Sequence, residues 1–453
     1  MFLNSERRSA PVINRRGLLR GAAGTALATS LAACNASSGS DPQPVASPGT
    51  EPQGSIKISI FGVDQNNINA FTELFKSFTA KYPKVNLQIR GIAAADWGTY
   101  FNAISTQIAG GDPPDVVQVA TEGQRLFSSR NLVTPIDDYI QRDKTEMDNY
   151  FADVDANYRA QIDKYEKVDG KTYYLPGAFN TMVMWCNKAV FSKAGVDLPK
   201  DDWTWSDFEN ACRRLKASDS TMFPYIARNG GAGYFTGIQP WLLTNGTSVL
   251  NDDWTKSEIA SDAAIEAIAL QRKLIADGLA PAPGGQFDMY SMMAQGRAAM
   301  MGGGRWPIVS FKKLNMVDSL QIVPWPKKAK QGTPVGWNSY AILQASQNKE
   351  AAWALVKFIV AKDTETTFAK QGGTVVPSRL SVATSPAFLD GSPAGSNKLY
   401  EGLKYGSVLP APNRTNELEL RVTDGLQRIL TGNIEVAAGC RDLESQVLAT
   451  LQA

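Results

Sequence analysis

Short β-branched runs alternate with amphipathic helical patterns along most of this chain, and that alternation restricts it to an α/β fold built on mainly parallel sheets. Ile56 to Phe61 reads as a strand and Gly62 to Asn67 as a turn. Ile68, Phe71, Leu74, Phe75 and Phe78 then recur at helical spacing until Tyr82-Pro83 stops the helix. Val85 to Ile89 resumes a strand. A second helix carries Tyr100, Ile104 and Ile108, ends at Gly110-Gly111, and leads through Asp112-Pro113-Pro114 into a strand from Asp115 to Val119.

The pattern starts only after residue 54. Before it, Arg15-Arg16 and Arg20 precede a weakly apolar stretch from Gly21 to Ala33, and Leu31-Ala32-Ala33 lead into Cys34. Charged, apolar and small-residue regions in that order make a signal peptide. The paired arginines resemble a twin-arginine signal, although Arg7-Arg8 leaves the general secretory route open. The small residues before Cys34 resemble a bacterial lipobox. Residues 1–33 are therefore expected to be removed, and Cys34 to carry lipid. The Ser/Pro/Gly/Ala tract over 34–54 lacks bulky apolar residues to pack and reads as a tether. Losing the leader removes five arginines and one glutamate, which leaves the mature chain near neutral and argues against a nucleic-acid surface.

About 420 residues remain, too many for one hydrophobic core and suited to two lobes. Cys186, Cys212 and Cys440 are odd in number and lack paired spacing, so they read as buried thiols. The absence of histidine excludes Ser-His-Asp and Cys-His catalysis and the His-containing zinc motifs. Nothing points to a metal or an organic cofactor. Catalysis by a carboxylate pair survives this test.

Five blocks then carry a resemblance. They are IAGGDPPDVVQVATEGQRLFSSRNLVTPIDDYI, GKTYYLPGAFNTMVMWCNKAVFSKAGVDLPKDDWTWSDF, QGRAAMMGGGRWPI, PVGWNSYAILQASQNKEAAWALVKFIVAKDTETTFAKQGGTVVPSR and LQRILTGNIEVAAGCRDLESQVLATL. In this order they resemble the bacterial extracellular solute-binding proteins of carbohydrate ABC transporters, over nearly all of the mature chain. The resemblance implies a two-lobed periplasmic-binding-protein fold of type II, each lobe a sheet flanked by helices, with a ligand cleft between lobes that closes by hinge bending. The expected division is 55–178 with 338–372 for lobe 1, and 179–337 with 373–453 for lobe 2.

Open α/β sheets bind ligands beyond the carboxyl ends of their strands, so the turns there supply the candidates. After the first strand come Asp64 and Gln65, matched by position to the family's first sugar-contacting loop, with helix capping as the alternative. After the strand ending near Val119 come Thr121, Glu122 and Gln124; Glu122 matches an acidic position that accepts sugar hydroxyls in the maltose-binding branch. That branch has an aromatic residue at Val119 and a basic one at Gly123, which argues against a maltose-like ligand. Asn180 stands where a carboxylate contacts sugar, and its amide can both donate and accept. Trp306, after Gly302-Gly303-Gly304-Arg305, matches a sugar-stacking aromatic; an indole face suits the C–H face of a pyranose. Arg305 can bond hydroxyls or a carboxylate. Trp337 and Asn338 offer a second stacking surface with an adjacent amide, and Tyr234 and Trp241 further aromatic contacts. Met182 to Trp185 reads as core strand, and Trp203 and Trp205 as structural.

The expected protein is a monomer that captures a sugar-like solute, performs no chemistry, and presents its cargo to an ABC permease while tethered to the membrane through Cys34. Two alternatives remain at this point. One is a secreted hydrolase using Asp64 and Glu122 as a carboxylate pair; the other is a sensing lipoprotein that meets no permease.

Overall fold

Strand β1 (Gly54–Gly62) lies at the heart of the first sheet, paired in parallel with β2 (Val85–Ala93) on one side and β3 (Val116–Ala120) on the other. Ile58 stands opposite both Ile89 and Val116. Ile56, Ile58 and Ile60 are fully buried, as a strand with neighbours on both edges and helices on its faces requires. The connecting helices are those read from the sequence. The first spans Gln65–Lys81, starting three residues ahead of Ile68 and ending before Pro83; the second spans Trp97–Ala109. The computed structural model describes residues 45–62, 65–94, 96–285 and 287–452, so Cys34, the leader and most of the tether lie outside the described residues, as does Asp64.

The same sheet takes in strands from much later in the chain. Its order is β10-β9-β3-β1-β2, with β9 spanning Thr333–Ile342 and β10 Gly406–Val408, and β4 (Ala178–Thr181) pairs with β9 off this path. The second sheet has the order β6-β7-β5-β8, from Phe223–Ile226, Ala298–Gly303, Val183–Asn187 and Leu320–Pro324. Both sheets are mixed: in the first, β1 runs parallel to β2 and β3, and β10 parallel to β9; in the second, β6 runs parallel to β7 while β5 is antiparallel to β7 and β8. The chain leaves the first sheet through β4, enters the second through β5, and returns along β9, which therefore runs antiparallel to β3 and β4. The lobe changes expected at 178/179 and 337/338 both fall inside first-sheet strands. Sheet membership changes instead at Met182 and between Pro324 and Thr333, and β10 joins the first sheet although 373–453 was expected on the other lobe.

Where the chain passes from residue 177 into β4, it runs against β9 so closely that a Cβ on Gly177 would sit 1.6 Å from the Asn338 carbonyl oxygen. Only glycine fits there. Behind the second sheet, the Trp241 ring is packed against Trp205, Phe208, Tyr225 and Trp325, with centroids 5.1 to 6.0 Å apart. Trp205 opens the helix Trp205–Ser218, whose start is fixed by a Thr204–Asp207 capping box. The closing helices, Thr415–Leu430 and Val436–Gln452, pack against each other and against Asp262–Ala276. Cys186, Cys212 and Cys440 are free and buried. Among the described residues, no helix is long and apolar enough to cross a membrane.

Candidate ligand-binding site

The helix Thr121–Ser129 follows β3 directly, and Thr121 is its first residue, not its cap. Ala120 occupies the cap position without a side-chain bond. The Thr121 hydroxyl instead accepts from the Trp337 backbone N–H at 2.7 Å and donates to its carbonyl at 3.2 Å, which pins the helix start to β9. Glu122 is thereby held half-buried. Burial, reinforced by the nearby Glu419 carboxyl, pushes its pKa up to about 8, so it carries a proton at neutral pH and can donate as well as accept.

Glu419 comes from the distant helix Thr415–Leu430 and is half-buried too. Its carboxyl is raised by burial and by Asp96, against the pull of Arg228. Asp96 itself caps the helix Trp97–Ala109, accepting from Thr99 N–H at 2.7 Å. On the same face as Glu419, one turn earlier, Asn416 lies against the start of that helix; a Cβ on Gly98 would come within 3.6 Å of its amide. Among the described residues, the buried Asn416 amide oxygen has no hydrogen-bond partner. Tyr234, in the Tyr234–Ile238 turn of the second lobe, completes the group. Its hydroxyl donates to the Pro410 carbonyl at 2.7 Å, and its phenol is raised by burial and then by Glu419 and Glu122.

Along the seam, Phe235 and Trp306 face each other with centroids 6.3 Å apart. Phe235 also reaches the first sheet, where a Cβ on Gly336 would stand 3.1 Å from its ring. Trp306 is half-buried, and Gly304 makes room for it: a Cβ there would fall 2.3 Å from the indole and 2.7 Å from the Asn180 amide oxygen.

Other expected residues are placed differently. Trp337 is buried, its indole N–H shared between Gln124 at 2.7 Å and Glu166, so its ring packs inside the first lobe instead of offering a stacking face. Trp241 belongs to the aromatic core behind the second sheet. Asn180 is buried; its amide oxygen accepts from Arg305 N–H at 2.7 Å and its amide donates to Thr374 at 3.4 Å. The Arg305 guanidinium is buried over the Phe388 ring at 4.4 Å and donates to Ser392 at 2.9 Å and to the Gly373 carbonyl at 3.4 Å. Burial alone lowers it to about 10. Asn338 is half-buried in β9, opposite Ala120 and Ala178. Gln65 is exposed at the first residue of its helix and donates to Asn69 at 3.0 Å. Asp64 lies outside the described residues.

Glu419, Asn416 and Phe235 were missed. The pair Asn416 and Glu419 recurs at one-turn spacing on an amphipathic helix, which is the only local signal available, and a solvated helix face gives the same pattern. Among the described residues, no group of three His, Cys, Asp or Glu side chains is placed to hold a metal. Two acidic side chains, an amide and a phenol from three separate elements thus converge beside two aromatic rings, a set suited to hydroxyl-rich solutes.

The family model for bacterial extracellular solute-binding proteins matches residues 64–366. The chain belongs to that family. A binding protein of Brucella abortus (strain 2308) is 24% identical over 417 residues, covering 88% of this chain and 94% of that protein. The galactooligosaccharide-binding protein of Bacillus subtilis (strain 168) is 24% identical over 302 residues, 62% of this chain and 67% of that one. Among solved structures, an ABC substrate-binding protein of Listeria monocytogenes in complex with cycloalternan superposes with a TM-score of 0.77 at 23% identity, covering 88% of this chain and 99% of that chain. The sugar-binding protein MalE of Xanthomonas citri gives a TM-score of 0.74 at 18% identity, covering 88% and 98%. At such identities the structures establish the two-lobed fold. Membership of a solute-binding family settles the choice between binding protein and hydrolase in favour of binding. Within the family, Gly123 and Val119 have local explanations here: a Cβ on Gly123 would lie 2.3 Å from the Phe101 ring, and Val119 is fully buried. Neither position has room for the side chain found in the maltose-binding branch.

Proposed function

We propose that this chain is the substrate-binding component of an ABC importer, capturing a sugar or sugar-like solute outside the cytoplasmic membrane and delivering it to the permease by lobe closure. The observation that carries this reading is the convergence of Glu122, Glu419, Asn416 and Tyr234 at the seam between the lobes, with the Trp306 ring alongside. A buried amide oxygen without a partner among the described residues, and two carboxyls whose pKa burial raises, are hydrogen-bonding groups suited to a ligand's hydroxyls. An indole face supplies stacking for a pyranose ring. Of the residues singled out by sequence, Glu122, Tyr234 and Trp306 form the proposed contact set, joined by Asn416, Glu419 and Phe235; Asn180, Arg305, Trp337 and Trp241 support it from behind, and Gln65 and Asn338 stand at its edge.

The acidic lining selects against anionic cargo. Glycerol phosphates and sugar acids would meet the Asp96 carboxylate, and would be repelled by Glu122 and Glu419 wherever these ionise, whereas neutral oligosaccharides and amino sugars would not be repelled. The relatives that bind galacto- and arabinooligosaccharides support a neutral oligosaccharide. Export as a lipoprotein through cleavage before Cys34 fits the same role; multiple acylation there would anchor a monomer stably beside its permease.

A thermal-shift screen of the purified chain against neutral oligosaccharides, amino sugars, sugar acids and glycerol phosphates tests the reading. Ligand at a hundredfold excess over Kd stabilises by about 2.7 kcal/mol. A saturable rise with a neutral or amino sugar is expected, and a rise confined to the anionic ligands would overturn the assignment. Mass spectrometry of the membrane-extracted protein checks the anchor: an unmodified thiol at Cys34 rejects it.

A further inference from the structure

A turn of the second lobe reaches across and grips the first. The segment between β6 and β7 includes a tight turn over residues 251–256, closed by the Leu250–Ser257 bridge and by Asn251, whose side-chain oxygen accepts from Thr255 N–H at 2.8 Å and Lys256 N–H at 2.9 Å. The turn is braced on its own lobe: Thr247 bonds Glu258 at 3.3 Å and Asn245 bonds Ala263 at 2.9 Å. At its tip Trp254 has a φ of 57°, a left-handed conformation rare for a bulky residue and kept only where the surroundings enforce it.

What enforces it lies on the other lobe. The Trp254 ring stacks on Tyr165, centroids 4.5 Å apart and 11° from parallel, and the Arg125 guanidinium covers it at 5.3 Å. Asp252 accepts from the Tyr165 hydroxyl at 2.5 Å and pairs with Lys164. Tyr165 and Lys164 belong to the helix Ala156–Glu166, whose Tyr158 and Glu166 pack on Trp337 of the first sheet. Arg125 lies one helical turn beyond Glu122. The Lys164–Asp252 pair is solvent-exposed and contributes little by itself. The indole is 6% exposed, so its burial between Tyr165 and Arg125 is the substantive contact. Each ring partner of Trp254 is on the first lobe and its turn is on the second, so hinge opening must strip the contact completely.

We infer that Trp254 is a positioning residue for capture: it latches the lobes together one helical turn from Glu122, and so governs how long a bound solute is retained without touching it. The inference rests on the capture reading for its consequence, and on the inter-lobe geometry alone for its first test. That test is an electron-spin distance measurement between labels at Asp148→Cys and Lys193→Cys, both exposed, in the full chain carrying Cys34→Ser; the other three thiols are buried. Without sugar, Trp254→Ala and Tyr165→Ala should each shift the distance distribution away from that of the parent, the double variant should shift it no further than either, and Trp254→Phe should restore it. With a galactooligosaccharide mixture as probe, Trp254→Ala should dissociate roughly tenfold faster, with association within about twofold. Distance distributions identical to the parent in both alanine variants overturn the latch. Failure of the parent to bind the probe bears on the oligosaccharide reading, and the distances still decide the latch. If Trp254→Ala does not fold, Tyr165→Ala on the opposite lobe removes the same stack and decides the question alone.

Discussion

Two polar clusters bridge the lobes, and they differ in how complete their bonding is. Around Asn180 and Arg305 the amide bonds Arg305 N–H and Thr374, and the guanidinium is spent on Ser392, Gly373 and the Phe388 ring, with one nitrogen left over. Around Glu122 and Glu419 burial raises the pKa of both carboxyls, and the Asn416 amide oxygen is buried without a partner among the described residues. Proteins seldom leave such groups unpaired inside, because each costs about 1–3 kcal/mol. The first cluster, whose leftover nitrogen sits on a guanidinium already held by Ser392, Gly373 and the Phe388 ring, reads as architecture, and the second as a site that awaits hydroxyl groups.

Substitutions separate the two readings. Arg305→Ala should destabilise the fold by about 3 kcal/mol in urea unfolding, since it removes a buried side chain together with its bonds. A loss under about 1 kcal/mol accompanied by lost sugar binding would move Arg305 into the site. Glu419→Ala should weaken oligosaccharide binding by roughly 30-fold in calorimetry while changing stability little, because it removes a half-buried carboxyl placed beside Glu122 at the seam. Trp306→Ala should cost roughly tenfold in affinity through the lost stack; equal binding by parent and variant would leave the seam without its aromatic wall. Gln65→Ala, exposed and bonded to Asn69, should stay within about 0.5 kcal/mol in stability and shift affinity least.

The same comparison extends to pH. Glu122 has an ordinary value of 4.5 and titrates near 8 in the folded chain. The folded state holds a proton that the unfolded state releases, so this contribution to stability is fully present below about 4.5 and is lost as pH rises through about 8. Glu122→Gln should keep Tm higher than the parent at pH 9, and the two should converge at pH 4. A parent whose Tm does not fall between pH 6 and 9 relative to this variant would show Glu122 to be solvated.

The architecture was legible where local pattern decides it. Ile56, Ile58 and Ile60 alternate and the first helix stops before Pro83, because these depend on neighbours in sequence. Partner choice was not. Trp306 and Trp337 each follow a glycine at a turn or strand in a family block, yet one borders the seam and the other donates to Gln124 and Glu166 inside the lobe. The face a strand residue occupies is set by which sheet covers it, and β9 is covered by elements hundreds of residues away. Glu419 escaped for the same reason. Its significance comes from Glu122 and Asp96 on a different lobe, and a glutamate on an amphipathic helix carries no mark of what it will face.

The three buried thiols bear on biogenesis. Burial raises the pKa of Cys186, Cys212 and Cys440, so in the finished fold they are neither nucleophilic nor open to oxidant. A chain threaded unfolded into an oxidising space exposes an odd set of thiols while its core is still assembling, and one wrong pairing strands a folding intermediate. A chain that crosses already folded carries them sealed. The cysteine distribution thus gives this protein more to gain than most from acquiring its fold before it meets air.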